Sequence, residues 1–333
     1  MGNIQIGKYT LKHGLFLAPL AGVSDRAFRE VCRAHGAEYT VSEMVSAKAL
    51  CYEQKSKKAV RTAPLASVYQ KEMPMAIQLF GREPEFLAEA ARMIEAQSYN
   101  GCESNTPPAA IDINMGCPVH KVVSNGEGSA LMKEPKRAAE IVRAVRAAVT
   151  IPVTVKIRTG WDHASKNAVE MAKHLEDAGA TLIAVHGRTR EDMYAPGVDI
   201  ESIARVKQSV SVPVVANGDI YSAADAEHML AQTGCDGIMI ARGALGNPFL
   251  FAEIRAALEG TDYKEPSWQE RFDTALGQVE RMIEEKGERI AIAEARKHLS
   301  WYIKGARGAA SARVDINRAT TLEDMKHILD QLI

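Results

Sequence analysis

The sequence predicts an α/β chain in which a (β/α)8 TIM barrel over residues 1–259 is followed by a small all-helical domain over residues 260–333. Three observations predict it. Eight short apolar or β-branched runs recur at roughly 25 to 40 residue spacing, each followed by a polar loop and a longer helical pattern, as parallel βαβ units require. Most of those runs are apolar throughout instead of alternating, which suits strands covered on both faces. Past Glu259 the strand pattern stops and only helical periodicity continues.

Taken in order, the strands are Leu15 to Ala18, Tyr39 to Ser42, Ala76 to Phe80, Ile111 to Asn114, Val153 to Ile157, Leu182 to His186, Val212 to Asn217 and Gly237 to Ala241. Several helices between them have readable caps. Pro135 opens Lys136 to Val149, Asp199 precedes Ile200 to Gln208, and Ser222 precedes Ala223 to Gln232, which Thr233-Gly234 stops. A doubly wound open sheet needs fewer strands and normally a glycine-rich nucleotide turn, and neither G-x-G-x-x-G nor G-x-x-x-x-G-K-[ST] occurs. Ser98 to Ala110 reads as a long helix-to-strand loop on the amino-terminal side of the barrel, away from any chemistry. After Gly260-Thr-Asp and Pro266 the tail reads helical over Ser267 to Lys286, Arg289 to Gly305 and Leu322 to Leu332.

Composition bounds the function. A net charge of -1 excludes a globally basic nucleic-acid binder but not a local basic face. Five cysteines, never in C-x-x-C, signal neither a disulfide framework nor a zinc site, so no metal and a reducing, cytoplasmic setting are expected. No uncharged stretch approaches the roughly 18 residues of a membrane span, so no membrane partner is expected, and a monomer is the simplest state.

Barrel chemistry sits at the carboxyl ends of the strands. Those ends deliver Ala18-Pro19, Glu43, Gln78, Asn114, Lys156, His186, Asn217-Gly218-Asp219 and Ala241-Arg242-Gly243. So many polar ends converging on one mouth favour an active site over plain packing. The glycine-bearing ends after strands seven and eight suit a phosphate, and His186 either helps bind it or is a buried core histidine. Lys156 interrupts an apolar run, so it calls for an anionic partner; it acts as a Schiff-base nucleophile, as a cation beside an anionic cofactor, or in a salt bridge. Cys117 stands between Gly116 and Pro118 on a βα loop of some twenty residues, far beyond the usual two to six. A thiol so placed is a nucleophile, a general acid or an inert apolar group.

In the tail, Gly287 to Arg318 carries seven bases (Arg289, Arg296, Lys297, Lys304, Arg307, Arg313, Arg318) against three acids (Glu288, Glu294, Asp315), interleaved with Trp301 and Tyr302. That pattern suits RNA phosphates and bases, and equally a solvated helix face with both aromatics in the core. On the first reading Arg296, Lys304 and Arg307 are the expected substrate contacts.

Ala18-Pro-Leu-Ala-Gly-Val23, Gln78, Asp112-Ile-Asn-Met-Gly-Cys-Pro118, Lys156-Ile-Arg158, His186-Gly-Arg-Thr189, Asn217-Gly-Asp-Ile220 and Ala241-Arg-Gly243 together resemble the tRNA-dihydrouridine synthases, most closely the bacterial B-type subgroup. The likeness runs through the barrel in order and on into the tail. It implies an FMN-containing barrel that uses NADPH to reduce the C5=C6 bond of particular uridines in tRNA. Position by position it implies FMN contacts at Ala18, Pro19, Leu20, Gln78, Lys156, His186, Asn217, Gly218, Asp219, Ala241 and Arg242. It gives Cys117 the role of proton donor and places Asn114 and Arg188 against flavin or uracil. Leu20 departs from the methionine frequent in the family, a swap that leaves backbone contacts intact. The implied mechanism agrees with the residues: an anionic flavin explains the lysine, and a thiol of pKa near 8.5 is protonated at pH 7 without tuning. A Schiff-base aldolase using Lys156, a non-catalytic RNA-binding paralogue and a small-molecule FMN oxidoreductase of the dihydropyrimidine type are the rival readings.

Overall fold

The computed structural model describes residues 2–55, 62–104 and 106–332. A two-stranded antiparallel hairpin, β1 (Ile4–Ile6) and β2 (Tyr9–Leu11), precedes eight parallel strands: β3 (Leu15–Leu17), β4 (Tyr39–Ser46), β5 (Met75–Phe80), β6 (Ala110–Met115), β7 (Val153–Arg158), β8 (Leu182–His186), β9 (Val214–Asn217) and β10 (Gly237–Ile240). These eight close into a barrel in chain order, with β10 returning to pair with β3. The predicted fold class is the observed one, and every predicted barrel strand is present, shifted at its ends by a few residues.

Three departures have local causes. The hairpin was not legible because each strand is only three residues long. It buries Ile4, Ile6 and Leu11 against Phe16, Tyr39 and Leu182, closing the amino-terminal end of the barrel with apolar side chains. The second departure is β4, which runs past Ser42 to Ser46. Between Val41 and Met44 it holds one residue more than the facing stretch Ala76 to Gln78 of β5, a bulge. The third is the long loop after β6, which folds into a short helix His120–Val123 and a 3-10 turn Gly128–Lys133 before the helix Pro135–Ala148.

The tail packs four helices, Trp268–Lys286, Glu288–Tyr302, Ala309–Ile316 and Leu322–Asp330, around a core of its own that includes Phe272, Val279, Met282, Leu299 and Met325. Ser267 starts the first of them with a reciprocal capping box to Glu270. The third helix lies in a stretch where sequence alone predicted no element, after a turn bounded by Gly305 and Gly308. The tail docks beside the barrel helix Arg26–Ala34, where Ala27 joins its core and Lys286 pairs with Asp25 at 2.7 Å. It also reaches the loop after β10. A side chain on Gly246 would collide with the backbone of Trp301 and Tyr302, so only glycine fits under the second tail helix. No helix among the described residues is long and apolar enough to cross a membrane.

Candidate active site at the barrel mouth

The strand ends open into a cavity of about 310 Å3. Ala18, Pro19, Leu20, Gln78, Asn114, Cys117, Lys156, His186, Asn217 and Ala241 all line it, as do Arg158, to which sequence reasoning assigned no role of its own, and three residues that it missed: Met44, Val119 and Tyr194. An adjoining recess of about 50 Å3 shares Leu20, His186 and Asn217 with it and adds Arg188, Gly218, Asp219 and Arg242. A groove of similar size to the main cavity, about 320 Å3, lies between the helices Arg26–Ala34 and Trp268–Lys286. Its Glu30 is paired with Arg26 and Arg281, and Glu280, Glu284 and Glu285 also line it, so its lining is acidic overall and does not suit an anionic group.

A chain of amides sets the Cys117 loop. Asp112, buried mid-strand on β6, accepts the Thr154 hydroxyl at 2.6 Å and the Gln78 amide at 2.7 Å. Parallel pairing places both neighbours beside it. Gln78 Oε1 then accepts from Asn114 Nδ2 at 2.8 Å, and Asn114 Oδ1 accepts the backbone N–H of Cys117 at 2.9 Å. Each amide in the chain therefore has one orientation that satisfies its neighbours, and the last link fixes the backbone that carries the thiol. The Cys117 carbonyl accepts from both the N–H and the hydroxyl of Ser129, and Arg158 Nε donates to Gly116 O at 2.7 Å. A carboxylate inside the apolar run Ile111-Asp-Ile113 was the available sign that Asp112 mattered. Burial pushes the Cys117 thiol above its ordinary range, so it is protonated at neutral pH.

Lys156 lies in the same cavity. Its Nζ donates to Asn217 Oδ1 at 2.9 Å, while Asn217 Nδ2 donates to Met239 O at 2.7 Å. Burial, with the Arg158 cation beside it, lowers Lys156 to about 7. The same burial, with Lys156, Arg158 and Arg188 close by, keeps His186 neutral.

At the recess, Asp219 accepts Arg188 Nη2 at 2.6 Å and Arg242 Nη2 at 2.9 Å, one carboxylate for two guanidiniums. Asp219 holds φ +45, a backbone conformation that costs a non-glycine residue about 1 kcal/mol and that these two bonds stabilise. Arg188 is almost fully buried; it also donates to Ala195 O at 2.6 Å and contacts His186 Nε2 at 3.2 Å, which ties down the loop after β8. Tyr194 on that loop is 53% exposed at the rim, with Arg158 and Arg242 near its ring. Gly243 is required by packing: a side chain there would collide with Ile220 O.

One sequence expectation is corrected here. The bulge in β4 brings Met44, not Glu43, into register with Gln78 at the cavity, and Glu43 instead accepts the backbone N–H of Gly22 behind the loop after β3. In the tail, Arg296 donates to Ala319 O at 2.8 Å and so ties helices together, whereas Lys304 and Arg307 are exposed. Tyr302 is buried with its hydroxyl on Gln278, whereas Trp301 is half-buried and stands edge-on to His298.

This geometry defines an eight-stranded α/β barrel with a polar, largely buried site at the carboxyl ends of its strands. Among solved structures the chain is similar to histamine dehydrogenase from Rhizobium sp. 4-9 (TM-score 0.56, 15% identity, 89% of this chain and 50% of that one). It is also similar to a variant of NCR from Zymomonas mobilis (TM-score 0.51, 18% identity, 81% and 94%). Likenesses at such identity speak to the fold alone. The family described as dihydrouridine synthase (Dus) matches residues 16–333, and the chain belongs to that family. Its relatives include "Probable tRNA-dihydrouridine synthase 1" of Synechocystis sp., 41% identical with 99% of this chain and 89% of the relative covered. "tRNA-dihydrouridine synthase B" of Vibrio vulnificus is 42% identical, with 94% of each covered.

Proposed function

We propose that this chain reduces the C5=C6 bond of specific uridines in tRNA, using NADPH and an FMN held in the mouth cavity. The observation that carries the reading, beside family membership, is a protonated thiol and an under-compensated lysine facing one cavity.

The residues fit the cofactor. Among the described residues the one hydrogen bond from Lys156 Nζ goes to Asn217, so two of its donors are available to an anionic or carbonyl oxygen. Arg188 and Arg242 around a single Asp219 leave net positive charge beside the recess, which suits a phosphate. Ala18, Pro19, Leu20, Gln78, His186, Asn217 and Ala241 would wall the ring, with Gly218 and Arg242 at the phosphate. Bound there, FMN supplies the hydride for uracil C6. Cys117 holds the proton that C5 requires, and its raised pKa keeps that proton in place until it is needed. Asn114, through the Cys117 N–H, holds the thiol's backbone while the substrate enters.

A uridine in folded tRNA must leave its stack, at a cost of a few kcal/mol. The exposed Lys304, Arg307, Arg313 and Arg318 of the tail offer phosphate contacts that offset this, making residues 260–333 the tRNA-binding domain and residues 1–259 the catalytic one. Five free thiols suit a reducing cytoplasm, where the chain would work as a monomer.

The purified protein should be yellow, release FMN on denaturation, and form dihydrouridine in unmodified tRNA when given NADPH. A colourless preparation that takes up no FMN overturns the cofactor. Reduction of free uracil at the same rate, with tRNA untouched, overturns the substrate.

A further inference from the structure

Residues 19–24 form one wall of the cavity, through Leu20, Ala21 and Val23. The loop is closed on itself: the N–H groups of Val23 and Ser24 both donate to Leu20 O at 2.9 Å, and Leu20 N donates to Ser24 Oγ at 2.8 Å. A unit closed in this way moves as one piece, so whatever holds its tip sets the wall.

Gly22 is that tip, exposed and at φ +72. Its N–H donates to the carboxylate of Glu43, behind the bulge of β4. Its C=O accepts from Nζ of Lys297, which comes from the second helix of the tail. The two peptide planes flanking one glycine are thus gripped from opposite domains, and peptide planes are stiff. Just beyond the loop, Asp25 caps the helix Arg26–Ala34 and binds Lys286 Nζ at 2.7 Å. Glu294 of the tail holds that same ammonium at 2.8 Å, so the anchor at the base of the loop is itself fixed to the tail.

We propose that Lys297 is a positioning residue: by holding Gly22 it sets the 19–24 wall, so that the seating of the tail determines how the barrel mouth binds flavin. The proposal rests on the reading of the cavity as a flavin site, and one of its readouts does not. Nothing in it requires Lys297 to touch flavin or tRNA.

The test compares Lys297→Met, which keeps the aliphatic stem and removes the donor, with Lys297→Arg and Gly22→Ala. In flavin-free protein, Lys297→Met should speed amide hydrogen exchange at residues 22–24 about fivefold, with the melting temperature within about 2 °C of the parent. In FMN titrations followed by flavin fluorescence it should raise the Kd about fivefold, and Lys297→Arg should restore it. Gly22→Ala strains the same loop from within and should reproduce the weaker FMN binding with the tail intact. Unchanged exchange in Lys297→Met overturns the proposal whether or not FMN binds. A weaker Gly22→Ala beside a normal Lys297→Met overturns it too, because the loop would then matter and the tail would not set it. Loss of melting temperature with FMN affinity intact reduces Lys297 to a domain fastener. Parent protein that binds no FMN, with exchange in Lys297→Met still raised, sinks the flavin reading and leaves the clasp standing.

Discussion

The two ends of the barrel are built to opposite rules. At the amino-terminal end the hairpin lays Ile4, Ile6 and Leu11 over the apolar faces of Phe16, Tyr39 and Leu182. At the carboxyl-terminal end Asp112, Lys156, Arg158, His186 and Arg188 lie largely out of water, and three of them, Lys156, Arg158 and His186, are displaced strongly from their ordinary protonation behaviour. Burying Lys156 destabilises the flavin-free fold, while burying Ile6 stabilises it. The floor therefore supplies stability that the mouth gives up, as expected where function needs groups that packing alone would reject.

Substitutions at the two ends should separate accordingly. The largest effect is expected from Cys117→Ala: dihydrouridine formation should fall about a thousandfold, with FMN content and NADPH oxidation retained. Because burial raises the thiol pKa, the parent rate should stay level through neutral pH and decline only above pH 9, as the acid loses its proton; undiminished turnover in the variant removes the acid role. Next is Lys156→Met, expected to weaken FMN binding about a hundredfold while raising the melting temperature of the flavin-free protein. The sign follows from linkage. Lys156 binds its proton up to pH 10.5 when unfolded but only up to about 7 when folded, so the advantage of the variant is full below pH 7 and fades as pH rises toward 10.5. For the parent, flavin binding at pH 8 should take up as much as one proton, readable by calorimetry in buffers of different ionisation enthalpy. Ile6→Ala at the floor should cost about 2–4 kcal/mol in denaturant unfolding and leave FMN affinity unchanged; a coupled loss of flavin would erase the contrast between the ends. Smallest, Lys304→Ala with Arg307→Ala should weaken tRNA binding about tenfold and flatten its salt dependence by roughly two ions, with NADPH oxidation spared.

How far the sequence could be read follows the same division. The strand ends were legible because each interrupts an apolar run with a residue that packing would not choose, as Lys156 and Asn114 do. Met44 was not, because the bulge in β4 shifts the pattern by one residue and no local signal marks a bulge. Tyr194 escaped for a different reason. It rides a long loop after β8, and that loop is held in place by the bond from Arg188 Nε to Ala195 O, a contact between positions that no periodic pattern links. The tail was the least legible part. Its basic stretch was visible, but nothing in the spacing of its charges distinguishes Arg296, which ties helices together at Ala319 O, from Lys304 and Arg307, which stay in solvent.

The contact at Gly246 limits how this protein can be rebuilt. The second tail helix lies so close to the loop after β10 that a single methyl group there would collide with the Trp301 backbone. A chimera that borrows its tail from a relative would therefore have to bring the matching 245–247 segment with it. A junction placed at the outwardly convenient linker near Pro266 would join two halves whose surfaces were never fitted to each other.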